Sequence, residues 1–290
     1  MAITLGTSAS QEFDFTDEDF ARIRKLIYDH AGISLSDSKR QLAYSRVGRR
    51  LRAHGLTRFA DYLTLLETAG ADEWEAFTNA LTTNLTSFFR EEHHFPILAD
   101  HARKAGGRPL VLWCAACSTG EEPYSMAITM VEAFNTLQPP ARILATDVDT
   151  NVIATAERGV YPMDRFERMA PERLRRFFQK GTGPNAGHAR VRRDLRDLVT
   201  FRQVNLLHDN WPVRGPLDAI FCRNVMIYFD KATQYRILKK FAPLLREDGL
   251  LFAGHSENFI HAVDLFRLRG KTVYELSPTF RERHAPAKQR

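Results

Sequence analysis

From Thr16 onward the apolar positions recur with the period of a helix. In TDEDFARIRKLIYDHAG, Phe20, Ile23 and Ile27 fall on one stripe, Thr16 and Asp19 stand in capping-box spacing, and Gly32 ends the run. The stretch DSKRQLAYSRVGRRLRAHG repeats the pattern with Ala43, Val47 and Leu51, while Lys39, Arg46, Arg49 and Arg50 share a neighbouring polar face. Two shorter helices carry Phe59, Leu63 and Leu66, then Trp74, Phe77 and Leu81. The pattern predicts a flexible N-terminus over residues 1–14 and a small all-helical domain over 15–83.

Beyond the linker TNLTSFFREEHHFPIL, assigned to 84–100, short apolar runs alternate with helical stretches. PLVLWCAAC, RILATDVD, DAIFCRN and GLLFAGHSE read as strands, and EPYSMAITMVEAF and KATQYRILKKFAPLL as the helices between them. This alternation predicts a doubly wound α/β domain over 101–280 with a parallel sheet, closed by a hairpin strand in FRLRGKTVYEL. Between about 161 and 203 the alternation breaks into PERLRRFF, the glycine loop GTGPNAG and the strand-like HARVRRDLRDLVTF, which predicts an inserted subdomain. The tail over 281–290 has little to bury and is expected to be loose.

Composition narrows the classes. With 44% hydrophobic and 26% charged residues in 290, the chain is ordinary for a globular protein of two domains. MAITLGTSAS lacks a positive n-region, and eighteen apolar residues nowhere follow one another, so a cytoplasmic protein is expected. Three cysteines cannot form a disulfide framework, which fits a reducing compartment. A net charge of +6 and a pI near 9.3 favour acidic partners, without choosing among nucleic acid, a membrane surface and acidic helices.

The stretch PLVLWCAACSTGEEPYS admits three chemistries. A strand followed by W-C-x-x-C is how thioredoxin-like enzymes place a reactive thiolate, but Glu121 and Glu122 follow at once, and carboxylates disfavour a thiolate. For zinc, Cys114 and Cys117 have only the isolated Cys222 as company, and no metal site is expected. As a nucleotide turn, the small residues Ala115, Ala116, Ser118 and Gly120 let a ligand approach the backbone. The turn is not G-x-G-x-x-G, and two glutamates at a helix start would repel a phosphate. Carboxylates suit a cationic ligand, and S-adenosylmethionine carries an ammonium and a sulfonium with no phosphate. Asp147 closes the next strand, about where an acid reaches ribose hydroxyls in such folds, although acids at strand ends are common without that role.

TNLTSFFRE, CSTGEEPYS, ATDVD, VNLL and FCRNVMIYFD, in this order, resemble the CheR-type chemotaxis receptor methyltransferases, which esterify receptor glutamates with S-adenosylmethionine. The likeness runs from the helical domain to TVYEL. It implies a Rossmann-like S-adenosylmethionine methyltransferase sheet with an N-terminal all-helical domain and a small inserted antiparallel β subdomain. By position it implies that Asn84, Thr86 and Arg90 close over the cofactor, that Glu121 takes its ammonium and Asp147 its ribose, and that Asn205 and Leu206 frame the adenine. Arg223 and Asn224 would lie beside the cofactor, and Arg90 and Tyr228 would serve the transferring methyl. Cys114 departs from the small hydroxyl residue expected there. On residue chemistry alone, Phe88 and Phe89 read as packing residues, Arg90 as a surface ion pair and Tyr228 as a core cap.

The resemblance also suggests uses for two remaining features. Lys39, Arg46, Arg49 and Arg50, in a stretch without acids between Asp37 and Asp61, would dock the acidic helical bundle of a methyl-accepting chemoreceptor; a solvated face is the plainer reading. The inserted subdomain resembles the part of some family members that captures a receptor's C-terminal peptide. A monomer without nucleic-acid or membrane partners is expected. The rival functions are a nucleic-acid methyltransferase, which should show N-P-P-Y where this chain has RNVMIYFD, a dithiol oxidoreductase, and a regulator that binds the cofactor without catalysis. Replacing Cys114 and Cys117 together by serine separates the dithiol reading from the rest: a methyltransferase keeps most of its turnover, and a dithiol enzyme loses all of it.

Overall fold

The computed structural model describes residues 12–82 and 84–284, so most of the expected flexible N-terminus, and the tail beyond 284, lie outside the described residues. The chain divides into two compact units between residues 82 and 83.

Among the described residues the first unit contains four α-helices, α1 (Asp17–Ala31), α2 (Arg40–Ala53), α3 (Phe59–Thr68) and α4 (Ala71–Leu81). The predicted capping box is present: Thr16 Oγ1 accepts the Asp19 N–H at 3.1 Å, and the Asp19 carboxylate accepts the Thr16 N–H at 3.0 Å. Gly32 ends α1 at φ 69°, a left-handed conformation that costs glycine nothing. The apolar stripes meet in one core of Ile23, Ile27, Val47, Leu51, Phe59, Leu63, Leu66, Phe77 and Leu81.

The basic face of α2 is only partly a face. Arg50 turns inward onto Glu73 of α4, at 2.6 Å, where the same carboxylate accepts from Tyr62 Oη and meets His54 Nε2, each at 2.7 Å. Arg46 donates to the carbonyls of Ala80 and Thr82, where the last turn of α4 leaves acceptors unmet. Both arginines therefore serve the helical unit itself. Lys39, in the 3₁₀ turn before α2, and Arg49 are exposed.

The second unit begins with α5 (His94–Lys104) and alternates thereafter: β1 (Leu110–Cys114), α6 (Glu121–Phe134), β2 (Ala141–Asp147) and α7 (Thr150–Arg158). The inserted segment follows with β3 (Val160–Pro162), α8 (Pro171–Phe177), β4 (Phe178–Lys180), β5 (His188–Val191) and α9 (Arg193–Arg196). The main sheet resumes in β6 (Val199–Gln203), β7 (Leu217–Phe221), α10 (Lys231–Phe241), β8 (Leu245–Phe252), β9 (Phe266–Gly270) and β10 (Val273–Leu276), and α11 (Pro278–His284) ends it.

The seven strands of the main sheet run in the order β6-β2-β1-β7-β8-β10-β9. The first five are parallel, and β10 joins β8 and β9 antiparallel, so the closing hairpin makes the sheet mixed. β1 displays the period of a strand: Leu112 and Cys114 enter the core with α5 and α6, while Trp113 faces the opposite core with α10. From β1 the chain steps to β2 on one side and later to β7 on the other, so the strand order reverses at β1.

Two boundaries differ from those expected. The small antiparallel sheet, in the order β3-β5-β4, ends at Val191, and Val199–Gln203 belongs to the main sheet as its edge strand β6, pairing Ile143 with Val199. VTFRQ hides this because an edge strand exposes alternate residues and reads as polar as a hairpin. Residues 281–284 continue α11, anchored by the buried Phe280, rather than starting a loose tail.

The Glu73 cluster yields a stability prediction. Burial raises the Glu73 carboxyl, but Arg50, Tyr62 and His54 outweigh it and hold the group near 2, against an ordinary 4.5. The folded value is depressed, so this stabilisation is present above pH 4.5 and is lost as pH falls toward 2. Glu73→Gln should lower the stability of the full chain at neutral pH by about 2–3 kcal/mol and flatten its acid dependence below pH ~4.5, as measured by denaturant melts across pH.

Candidate functional site

The carboxyl ends of β1, β2, β6, β7 and β8 bring five loops to one edge of the sheet, where the strand order reverses. After β1 the chain turns sharply: Ser118 adopts φ 48° and Gly120 φ 99°. A Cβ at Gly120 would lie 2.7 Å from the Ala156 Cβ and 2.8 Å from the Tyr161 hydroxyl, so only glycine fits before Glu121 opens α6. The turn is tied to β2 by the Cys117 N–H, which donates to the Thr146 carbonyl at 2.8 Å, and by the Ser118 N–H, which donates to Asp147 Oδ2 at 2.8 Å.

Asp147 is 7% exposed and also accepts the Asp149 N–H at 3.1 Å. Burial, opposed by these N–H bonds, pushes its carboxyl up to about 6. Glu121 is fully buried, and burial raises its carboxyl too. Thr119 donates to Glu121 Oε2 at 2.6 Å, and Arg165 Nη1 lies 3.5 Å from Oε1 and 3.3 Å from the Thr86 carbonyl. Two desolvated carboxylates thus stand at the start of α6 and the end of β2, and between them in sequence the buried Ser118 hydroxyl lacks a hydrogen-bond partner among the described residues. A cation with hydroxyl groups supplies what these atoms lack, and a phosphate does not.

The other expected residues fall into two groups. Asn84 Nδ2 donates at 3.0 Å to Asp149 Oδ2, while Asp149 Oδ1 caps α7. Asn205 folds back so that its Oδ1 accepts the Leu207 N–H at 2.9 Å, and Leu206 is buried in the core on the α10 side. These belong with Glu121 and Asp147 on the β2 side of the edge. Arg90, Arg223, Asn224 and Tyr228 form the β7 side. Arg90 is half-buried, with Nη1 donating to the Leu85 carbonyl at 2.8 Å. Burial raises the phenol of Tyr228 and the nearby Arg90 guanidinium pulls the other way.

Arg223 is the centre of the β7 group. Its side chain is 1% exposed, and the guanidinium reaches Glu122 at 2.6 Å, Glu91 at 3.3 Å and the Arg90 carbonyl at 2.5 Å. Asn224, at φ 58°, donates from Nδ2 to Glu91 Oε1 at 3.2 Å. Burial raises the Glu91 carboxyl, but His255, Arg223 and Asn224 together hold it near 2. Phe89 and Glu91 take φ values of 53° and 54°, a strained backbone fixed by the Phe89 N–H on Ser125 Oγ at 2.9 Å. Phe88 is a packing residue, its ring centroid within 5.4 Å of those of Tyr161, Phe166 and Phe178.

Several members of this site were not legible in sequence. Glu91, Asp149, Arg165, Gln234 and Glu257 all hold loops of the site in place, and each acts on a partner brought close only by the fold. Glu91, His93 and His94 place potential metal ligands within 4.8 Å of one another. The Arg223 charge 3.3 Å from Glu91 opposes a second cation there, and burial, aided by Arg223, lowers His94 to about 4.

Cys114, Cys117 and Cys222 are free and buried. Burial first, then Glu122 beside Cys114 and Asp147 beside Cys117, push these thiols well above their ordinary value, so the pair lacks the thiolate a dithiol enzyme needs. Among the described residues no helix is long and apolar enough to cross a membrane.

The chain matches two family models: the CheR methyltransferase all-alpha domain over residues 18–82, and the CheR methyltransferase SAM binding domain over 84–275. It is 57% identical to "Chemotaxis protein methyltransferase 2" of Pseudomonas aeruginosa, covering 91% of this chain and 95% of that protein. It is 54% identical to the "Chemotaxis protein methyltransferase" of Salmonella typhimurium, over 92% and 93% of the two chains, and 53% identical to that of Escherichia coli, over 92% and 94%. Both domain models match in order and the likeness to these relatives runs through both units, so the chain belongs to the CheR methyltransferase family.

Proposed function

We propose that the chain transfers a methyl group from S-adenosylmethionine to glutamate side chains of chemoreceptors, forming glutamyl methyl esters. The observation that carries this reading is the pair of buried carboxylates, Glu121 and Asp147, at the sheet edge to which the β7–α10 loop brings Tyr228 and the linker brings Arg90. The names of the relatives, all chemotaxis methyltransferases, supply the substrate class.

Glu121 would receive the ammonium of the bound cofactor, and Asp147 its ribose hydroxyls. Asn205 and Leu206 would border the adenine, and Asn84, Thr86 and Arg90 would close the linker over it. Arg223 and Asn224 support the cofactor's surroundings through Glu91 and Glu122. When bound, the cofactor supplies an electrophilic methyl on a positively charged sulfur. A receptor glutamate with an ordinary pKa near ~4.3 is already ionised at neutral pH, so no general base is needed. The bound cofactor would supply this methyl to one oxygen of that carboxylate and would keep the electron pair of the carbon–sulfur bond as a neutral thioether. The Arg90 guanidinium would orient the incoming carboxylate. Tyr228, a neutral phenol at neutral pH, would donate a hydrogen bond beside the reacting atoms. The remaining contribution is alignment and exclusion of water from a carboxylate that loses its charge.

The exposed Lys39 and Arg49 would meet the acidic helices of the receptor, since Arg46 and Arg50 are engaged within the helical unit. The outer strands β3 and β4 of the small sheet carry open backbone edges of the kind that accept a peptide strand.

Incubation with methyl-labelled S-adenosylmethionine and receptor fragments should deposit label that alkali releases as volatile methanol; alkali-stable label would overturn glutamate esterification. Arg90→Ala and Tyr228→Phe should each lower this transfer by about 100-fold with unchanged melting temperature, and wild-type turnover in either removes that residue from the chemistry. Asp147 offers a pH test. Its carboxyl, raised to about 6, is ionised above that pH and accepts on both oxygens, whereas below it one oxygen carries a proton and turns from acceptor into donor. Cofactor affinity should weaken about tenfold on going from pH ~7 to pH ~5, and Asp147→Asn should bind weakly with a flat profile in calorimetric titrations.

A further inference from the structure

The loop between β7 and α10 carries Arg223, Asn224 and Tyr228, and it is anchored in the core by Met226, which is fully buried, and by Phe229. Met226–Tyr228 form a single 3₁₀ turn, and Ile227 within it is 51% exposed. Its backbone polar groups are met by a pair of buried polar side chains from elsewhere in the unit. Glu257, 5% exposed, lies in the loop after β8. Its Oε1 accepts the N–H groups of Val225 at 3.0 Å and Met226 at 2.7 Å, and its Oε2 accepts those of Asn224 at 3.0 Å and Gly254 at 2.5 Å. Gln234 of α10, 7% exposed, donates from Nε2 to the carbonyls of Met226 at 2.8 Å and Phe229 at 3.0 Å.

We propose that Glu257 and Gln234 are positioning residues for methyl transfer, a two-sided clamp that grips the N–H groups before Tyr228 and the carbonyls around it. The division of labour follows from the donor and acceptor inventory. A carboxylate is acceptor-only and can take four N–H groups, while the amide nitrogen of glutamine supplies the two donors that the carbonyls require. Gly254 makes the arrangement possible, because a Cβ there would meet Asn224 Nδ2 at 2.4 Å and force the two loops apart. With both sides of the turn satisfied, the phenol of Tyr228 has a fixed origin although its own residue is half-exposed. Alignment within a fraction of an ångström is what in-line displacement demands, so a loosened turn costs rate before it costs cofactor affinity. Glu121 and Asp147, which the cofactor would engage, lie on other loops and do not depend on the clamp.

This inference rests on the methyltransferase reading above, and the experiment keeps the two apart. Full-length Glu257→Gln and Gln234→Leu are compared with wild type and with Asp264→Asn, which removes the charge from the acceptor of the 2.7 Å bond of the Tyr235 hydroxyl of α10 and makes no side-chain bond to the loop. Both clamp variants should lower kcat by about 10- to 100-fold, while KM for S-adenosylmethionine and affinity for S-adenosylhomocysteine change by less than about threefold. Asp264→Asn should keep wild-type kcat. The proposal is overturned if either clamp variant retains wild-type kcat, if cofactor affinity falls in step with kcat, or if the control loses as much rate. Amide hydrogen exchange provides a readout that needs no turnover: Glu257→Gln should speed exchange at Val225 and Met226, and unchanged exchange overturns the clamp. Were wild type itself to transfer no methyl, the parent reading would fall and exchange alone would decide the clamp.

Discussion

Arg223 brings a positive charge to the end of β7 with its side chain almost wholly buried, and a buried charge left without its partners is strongly destabilising. The pairing determines much of the site. Glu122 comes from the first turn of α6, Glu91 and the Arg90 carbonyl from the linker, so one guanidinium fixes where the linker crosses the sheet edge relative to the turn after β1. Glu91 is then shared onward with Asn224 and His255, which draws in the loops after β7 and β8. Breaking the centre leaves Glu91 and Glu122 without the guanidinium they share, which is why the network holds as a unit.

The same economy separates the two halves of the site. On the β2 side, Asp147 and Glu121 are desolvated and, among the described residues, lack a close cationic partner; Arg165 stands 3.5 Å from Glu121 and is 44% exposed. Their carboxyls are raised, and such groups are poised to gain from a ligand that carries positive charge. On the β7 side, Glu91 and Glu122 are already matched by Arg223 and form framework. Two pairs of glutamate and aspartate side chains within one edge of a sheet thus differ in role because one pair is neutralised internally and the other is not. Backbone strain at Phe89, Glu91, Ser118 and Asn224 collects at this edge, where the hydrogen bonds to Ser125, His255, Asp147 and Glu257 can sustain it.

The helical unit repeats the lesson with surface charge. A run of basic residues with no acid nearby in sequence suggested one continuous face, but Glu73 on another helix had already claimed Arg50, and the end of α4 had claimed Arg46. Helical periodicity reports which residues share a side of one helix. It does not report what the next helix presents to that side.

The sequence by itself determined whatever depends on neighbours within a turn or a strand. The Thr16 capping box, the stop at Gly32, the stripes of α1 to α4, the alternation across β1 and the acid at the end of β2 were legible because each signal and its effect lie a few residues apart. The glycine turn before α6 was legible for the same reason. Tertiary structure alone decided the rest. Arg223 meets Glu122 across 101 positions and the Arg90 carbonyl across 133, His255 meets Glu91 across 164, and β6 reveals itself as a strand of the main sheet only by lying beside β2. A buried glutamate such as Glu257 looks in sequence like any loop acid. Its meaning comes from the four N–H groups that folding places around it, and no local pattern encodes donors supplied by another part of the chain.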